Sequence, residues 1–276
     1  MPELPEVETI KQTLQHLIQG KTITNVHVHW PKIVQHPDDI SEFQTLLKHQ
    51  TIQQMRRRGK VLLFDLTDVV LVSHLRMEGK YGVFERDEPI TPHTHVIFEF
   101  DDHTDLRYND VRKFGTMHVY AKGTEEVNKP LSQLAKDPLE AAFEPDPVVE
   151  KIQKSKRAIK NILLDQTVMS GLGNIYVDET LFLAHVHPLT KGCDLSTKQV
   201  DDVLKAAITT LQDAVTQGGT TIRSYVNSQG QMGMFQQQLQ VYGQDGKPCS
   251  NCRSAIEKIK VNGRGTHYCP TCQIQI

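Results

Sequence analysis

The chain is 276 residues long, enough for one large domain or two to three small ones, and its net charge of −2 hides an uneven distribution. Residues 1–150 hold 17 Lys and Arg against 24 Asp and Glu, whereas residues 151–276 hold 14 against 9, so an acidic half precedes a basic one. No apolar run approaches the roughly 18 residues of a membrane span, and the first residues lack the basic stretch and apolar core of a secretory signal.

The opening "MPELPEVET" sets two prolines and three glutamates around the start of an apolar repeat. Val7, Ile10, Leu14, Leu17 and Ile18 recur at helical spacing and Gly20 stands where a C-terminal cap belongs, which predicts an amphipathic helix. Short stretches rich in β-branched residues follow at 22–30, 60–66, 69–75, 80–85, 95–100, 105–110 and 116–120, separated by Asp, Gly and Pro. Strands at that spacing predict an antiparallel sandwich or barrel.

From about Pro138 the pattern becomes helical. "DPVVEKIQKSKRAIKNILLDQ" reads as one helix entered through Pro147, "GNIYVDETLFLA" as a second, and residues 196–219 as a third with Ser196 as N-cap and Gly218 near its C-cap. The Gly- and Gln-rich stretch after it, "YVNSQGQMGMFQQQLQVYGQDGKP", reads as a loop leading into a cysteine module. The expected organisation is α+β: a β-rich domain, sandwich or barrel, with an N-terminal α-helix over 1–130, a helical middle over 131–225, and a loop with a small metal hairpin unit over 226–276.

Four of the five cysteines fall in the last 28 residues as Cys249-x2-Cys252-x16-Cys269-x2-Cys272. Two Cys-x-x-Cys turns complete a tetrahedral zinc–thiolate site with no open position, hence structural; two disulfides are the alternative. So small a module buries too little apolar area to fold unaided, so one Zn²⁺ supplies much of its stability. Cys193 lies outside the spacing. In "VNGRGTHYC", Gly263 and Gly265 flank Arg264 at the tip of the hairpin, where an arginine either enters a phosphate-rich groove or is solvated.

Four stretches, "PELPEVE", "LRYNDVRKFG", "GLGNIYVDE" and the cysteine ribbon with "GRGTHYC", together resemble the formamidopyrimidine-DNA glycosylases along the full length and in the family's order. The resemblance implies an N-terminal β-sandwich, a helix–two-turn–helix DNA-binding domain and a zinc ribbon. It implies a bifunctional base-excision repair enzyme, cytoplasmic, monomeric and nucleoid-associated in a bacterium. Such an enzyme removes oxidised purines from double-stranded DNA, cuts at abasic sites, and has no membrane partner. Two alternatives stand beside it: an endonuclease VIII-type enzyme for oxidised pyrimidines, against which Leu4 speaks because that branch reads Gly there, and a zinc-ribbon damaged-DNA binder without catalysis.

The resemblance also implies roles. Removal of Met1 exposes the secondary amine of Pro2, which attacks the sugar C1′ and forms an iminium. An N-terminal amine titrates near 8, against about 10.4 for lysine. Glu3 is implied as acid/base, Lys60 as a charge at the lesion phosphate and a proton donor in β-elimination, and Arg264 as phosphate clamp and proton donor for δ-elimination. The other reading of the opening is that Pro2, Glu3 and Pro5 merely start a helix, and of "RRRGK" that it is a solvated edge.

Met77, Arg112 and Phe114 match the trio that fills the void left by the extruded nucleotide, although Met and Phe are also ordinary core residues. His93, Lys156 and Asn174 read as phosphate contacts; Gly171 and Gly173 open backbone N–H groups at a helix N-terminus toward a phosphate. The loop from Gly218 to Tyr242, with Glu78, is implied to cover the flipped base.

Overall fold

The computed structural model describes residues 1–220 and 234–275, which form two compact units. Among these residues, Met1–Pro2 and Glu6–Ser132 make the first unit; Glu3–Pro5, Gln133–Thr220 and 234–275 make the second.

Helix α1 (Leu4–Ile18) forms because Val7, Ile10, Leu14 and Ile18 fall on one face, all fully buried, and Gly20 at φ 84° ends it as expected. This stripe lies in the core of a sandwich. One sheet runs β1 (Ile23–Val28), β7 (Thr94–Phe100), β8 (Thr104–Asn109), β6 (Lys80–Glu85). The other runs β2 (Val34–His36), β9 (Thr116–Ala121), β5 (Val69–His74), β4 (Val61–Asp65), β3 (Gln54–Arg58). All pairings are antiparallel save the parallel β2–β9. Val26, Val96, Phe98, Leu106 and Tyr108 of the first sheet and Met55, Leu62, Phe64, Leu71 and Val119 of the second share one apolar cluster. Tyr81 sits in that cluster, 5.3 Å from Phe64 and 5.1 Å from Tyr108 between ring centroids.

Three elements exceed the sequence expectation: β2, helix α2 (Ile40–Leu47) and β3. Helix α2 is short, capped by the Asp39 side chain on the Ser41 N–H, and buries only Phe43 and Leu47. Strand β3 is "QMRRR", whose charges mask its β character. Those arginines are not a solvated edge. Arg56 forks onto Asp65 at 2.6 and 2.7 Å and reaches Glu125 at 2.7 Å, and Arg57 pairs with Glu8 at 3.0 Å.

In the second unit the expected single helix over 146–166 is two, α3 (Pro145–Gln153) and α4 (Ile159–Leu163). Between them the chain straightens and bonds to the segment 190–193: Gly192 N–H donates to Arg157 O (3.0 Å), Cys193 N–H to Ser155 O (2.9 Å) and Ile159 N–H to Thr190 O (2.7 Å). A Cβ on Gly192 would lie 2.2 Å from Ile152 O, so this approach needs glycine. Helix α5 (Asn174–Leu183) and helix α6 (Thr197–Thr216) complete the helical core. Ser196 and Gln199 form a capping box at the start of α6.

The unit ends in a hairpin of β10 (Glu257–Val261) and β11 (Arg264–Tyr268). Asn262 and Gly263, at φ 47° and 78°, make its two-residue turn. Arg264 is therefore the first residue of β11 rather than the turn itself, and Gly265 is a strand residue. Most of the loop expected to cover a flipped base, with "TIRSY" and the domain start at 226, lies outside the described residues.

Replacing Ile10 by Ala leaves a hole in the apolar cluster that helix α1 shares with the sheets and costs about 2–5 kcal/mol. Urea unfolding should show a lower midpoint with unchanged slope.

Candidate active site and zinc ribbon

Helix α5 begins at Gly173, which has no side chain to cap the helix. The cap comes from Glu3, 3 % exposed, whose carboxylate accepts N–H groups from Gly173 (2.6 Å), Ile175 (3.0 Å) and Tyr176 (3.4 Å). The "GLG" of the sequence is shaped by this contact. A Cβ on Gly173 would sit 2.3 Å from Glu3 Cδ, and one on Gly171, at φ 102°, would sit 2.5 Å from Leu4 Cδ1. The sequence reading opened these N–H groups to a phosphate. That reading is corrected: Gly173 donates to Glu3, and Gly171 donates to the Gln166 side chain (3.0 Å).

Downstream on α5, two adjacent acids sit on an otherwise apolar helix, and each must find donors. Asp178, fully buried, accepts from the Lys160 ammonium at 2.6 Å and from the His267 N–H at 2.8 Å. Burial pulls Lys160 below the ordinary lysine range, opposed by the Asp178 charge. Glu179 accepts N–H groups from Gln240, Val241 and Tyr242 at 2.8–3.0 Å, and its pKa is raised by burial against those bonds. Asn174, at the head of α5, donates its amide to Gly265 O at 2.9 Å, and Lys160 reaches the same oxygen at 3.3 Å. One helix thus holds Glu3 at its N-terminus and the backbone beside Arg264 along its side, with the Arg264 side chain exposed. Lys160, Asp178 and Glu179 are the residues that sequence reasoning missed. The available signal was the pair of acids inside the apolar run "NIYVDETLFL".

In the first unit Pro2 is buried behind an exposed Met1. Lys60, 5 % exposed, follows Gly59 (φ 54°) in the turn between β3 and β4. Strand β5 brings His74 opposite Val61. Burial, with Arg76, Lys60 and His118 adding repulsion, holds His74 at about 3, and burial with His36 and Arg76 holds His118 at about 4. His74 is thus a neutral imidazole, its Nδ1 accepting the Arg76 N–H at 3.0 Å.

Met77 and Phe114 are not core residues: they are 39 % and 50 % exposed. Their loops flank Tyr108, whose Oη would lie 2.2 Å from a Cβ on Gly79 and 1.7 Å from one on Gly115. The Asp110 carboxylate accepts the N–H groups of Arg112, Phe114 and Gly115 at 2.9–3.0 Å, and the Arg112 guanidinium lies 4.7 Å from the Phe114 ring centre. His93 and Lys156 are exposed, and His93 O accepts the Asp110 N–H at 3.0 Å.

The Sγ atoms of Cys249, Cys252, Cys269 and Cys272 all lie within 4.8 Å of one another, with Cys252 to Cys269 at 3.4 Å and Cys249 to Cys272 at 3.9 Å. A tetrahedral zinc with bonds of about 2.3 Å requires sulfurs roughly 3.8 Å apart, so the four thiols fit one structural Zn²⁺. Cys193 is exposed and apart from them.

The N-terminal domain model of formamidopyrimidine-DNA glycosylase matches residues 1–117, its H2TH domain model residues 134–226, and the zinc finger found in FPG and IleRS residues 246–274. The chain belongs to the formamidopyrimidine-DNA glycosylase family. The formamidopyrimidine-DNA glycosylase of Oceanobacillus iheyensis is 57% identical over 273 residues, covering 99% of this chain and 98% of its own. That of a Bacillus cereus strain is 52% identical over 276 residues, the whole of both. The crystal structure of Lactococcus lactis Fpg with abasic-site DNA superposes with a TM-score of 0.91 at 39% identity, covering 99% of this chain and all of that one.

For a glycosylase built this way, Gly173→Ala displaces the Glu3 carboxylate. We expect at least a tenfold loss of 8-oxoguanine excision under single-turnover conditions; a parental rate would show that the seat of Glu3 does not matter.

The histidines set a pH dependence. Unfolded, His74 and His118 bind protons below about 6.5, whereas folded they resist until about 3 and 4. The unfolded chain is favoured as pH falls through that window, so stability declines from pH 7 toward pH 5. Urea midpoints should track this decline, and His74→Asn should flatten it.

Proposed function

We propose that this glycosylase removes 8-oxoguanine and formamidopyrimidines from duplex DNA and then cuts the strand, with Pro2 as nucleophile once Met1 has been removed. Its nitrogen attacks C1′ as the damaged base departs with a proton; protonation of O4′ then breaks the C1′–O4′ bond and opens the sugar, giving a cationic iminium that has no N–H to lose. Loss of a C2′ proton breaks the C3′–O bond, and a second elimination breaks the C5′–O bond. The observation that carries this reading is the seat of Glu3. The residue bonded to Pro2 is locked by three backbone N–H groups, so the nucleophile sits one peptide bond from a fixed carboxylate. The three N–H donors hold Glu3 as a hydrogen-bond acceptor, which favours its use as a carboxylate that guides protons and faces a developing cation.

Lys60 and Arg264 supply positive charge at the phosphates beside the lesion, and His93, Lys156 and Asn174 add phosphate contacts. Asn174 also positions Gly265. Met77, Arg112 and Phe114 enter the space the extruded nucleotide leaves, with Arg112 hydrogen-bonding the orphaned base. The division of labour follows 1–130 for the nucleophile and wedge, 131–225 for the helical grip and 226–276 for the loop and ribbon. Complexes of the Lactococcus protein with abasic-site and N7-benzyl-Fapy-dG DNA support the same partner here. We place the enzyme in the bacterial cytoplasm at the nucleoid, as a monomer; among the described residues no helix is long and apolar enough to cross a membrane.

Borohydride trapping on an 8-oxoguanine duplex tests the mechanism. The parent gives a covalent adduct, while Pro2→Gly and a chain with an uncleaved N-terminal extension bind the duplex but give none. An extended chain that is trapped at the parental rate would falsify the role of Pro2.

A further inference from the structure

We propose that Trp30 is a positioning residue for the duplex-opening wedge, acting through a cation–π contact on Lys113. The proposal rests on the reading of Arg112 and Phe114 as that wedge. Trp30 is the sole tryptophan of the chain and is half-buried just beyond β1. The Lys113 ammonium stands 4.1 Å from its ring centre, while Lys32 approaches the ring at 5.7 Å. Lys113 is the residue between Arg112 and Phe114, so whatever fixes Lys113 fixes the backbone that carries both.

That backbone needs fixing. Lys113 has φ 58°, the left-handed region that residues with a side chain seldom occupy. From within, Asp110 gathers the N–H groups of Arg112, Phe114 and Gly115. Its own carbonyl accepts His95 Nε2–H at 2.7 Å, and the His95 carbonyl accepts the N–H groups of His29 at 2.8 Å and Trp30 at 3.4 Å. Trp30 thus meets the loop twice, by its backbone through His95 and Asp110, and by its ring through Lys113. With both anchors in place, Arg112 and Phe114 stay together at 4.7 Å, preorganised before a duplex arrives. An indole face holds an ammonium more strongly than any other side-chain ring, which gives this position a reason to be tryptophan although it is only partly buried.

The test compares single-turnover excision of 8-oxoguanine from an intact duplex with excision from the same duplex carrying a one-nucleotide gap opposite the lesion, where no partner base has to be displaced. Trp30→Ala and Lys113→Gln should each lower the duplex-to-gap rate ratio by about two- to fivefold, the range of an exposed cation–π contact. The double variant should be no worse than either single, because one contact is lost in all three. Lys32→Gln should leave the ratio within twofold of the parent. Lys113 is exposed, so its variant keeps the test alive even where Trp30→Ala folds poorly. Phe114→Ala separates the two layers. If it leaves the ratio at the parental value, the wedge reading itself fails. If it lowers the ratio while Trp30→Ala and Lys113→Gln do not, or if their effects multiply in the double variant, the Trp30 proposal is overturned.

Discussion

The Glu3 carboxylate at the mouth of α5 settles two demands at once. A helix start has N–H groups without intrahelical partners, and leaving such a donor buried and unpaired costs about 1–3 kcal/mol. A buried carboxylate carries a comparable need for donors. Gly173, Ile175 and Tyr176 meet Glu3, and the positive end of the helix adds to the attraction. The consequence reaches the chain terminus. First residues are normally frayed, yet here the third residue is fastened to a helix whose far side is packed in an apolar core. Leu4 reinforces the hold by donating its N–H to Gly171 O at 3.1 Å and burying its side chain in that core. On the proposed reading of Pro2 as nucleophile, this hold orients the reacting amine.

The same helix organises the zinc hairpin. Asp178 takes the β11 backbone at His267, Glu179 takes the segment 240–242, and Asn174 takes Gly265. Removing one member of the buried Lys160–Asp178 pair would leave a bare charge in the interior, a loss of about 3–5 kcal/mol. The pair is thus a poor source of net stability but a strict specifier of where the hairpin sits. Zinc closes the far end of the ribbon, so the strand that begins with Arg264 is fixed from two sides, by metal and by helix.

Legibility in the sequence followed chemistry that repeats or clusters. The stripe of α1, the apolar strands and the Cys-x-x-Cys pairs are periodic or regularly spaced, and each stands where the sequence places it, as does Ser196 at the head of α6. Strand β3 was hidden because its charged residues are paired with Asp65, Glu125 and Glu8, which lie from 9 to 69 residues away along the chain. The break between α3 and α4 was hidden for a related reason: "KSKRA" continues a helical pattern, and only the distant segment at 190–193 draws its carbonyls away. The site was legible as residue types and illegible as wiring. "GLGNIYVDE" announces glycines, an amide and two acids, but nothing local says that Gly173 serves Glu3 or that the acids serve the segment 240–242 and the hairpin strand at His267, some 60–90 residues on.

The wiring bears on what Arg264 can do. Both oxygens of Asp178 are engaged, one by Lys160 and the other by the His267 N–H. Burial already weakens the hold of Lys160 on its proton, and the Arg264 charge adds to that weakening, which marks the arginine as electrostatically present at the head of the hairpin. Its side chain is exposed, which suits the proposed role of offering its charge to a phosphate. A guanidinium keeps its proton under physiological conditions, so the role that fits is stabilisation of the departing phosphate by charge and bidentate hydrogen bonds. On the proposed mechanism, any proton the second elimination needs must then come from water or from a group of ordinary acidity, with the arginine holding the phosphate in place.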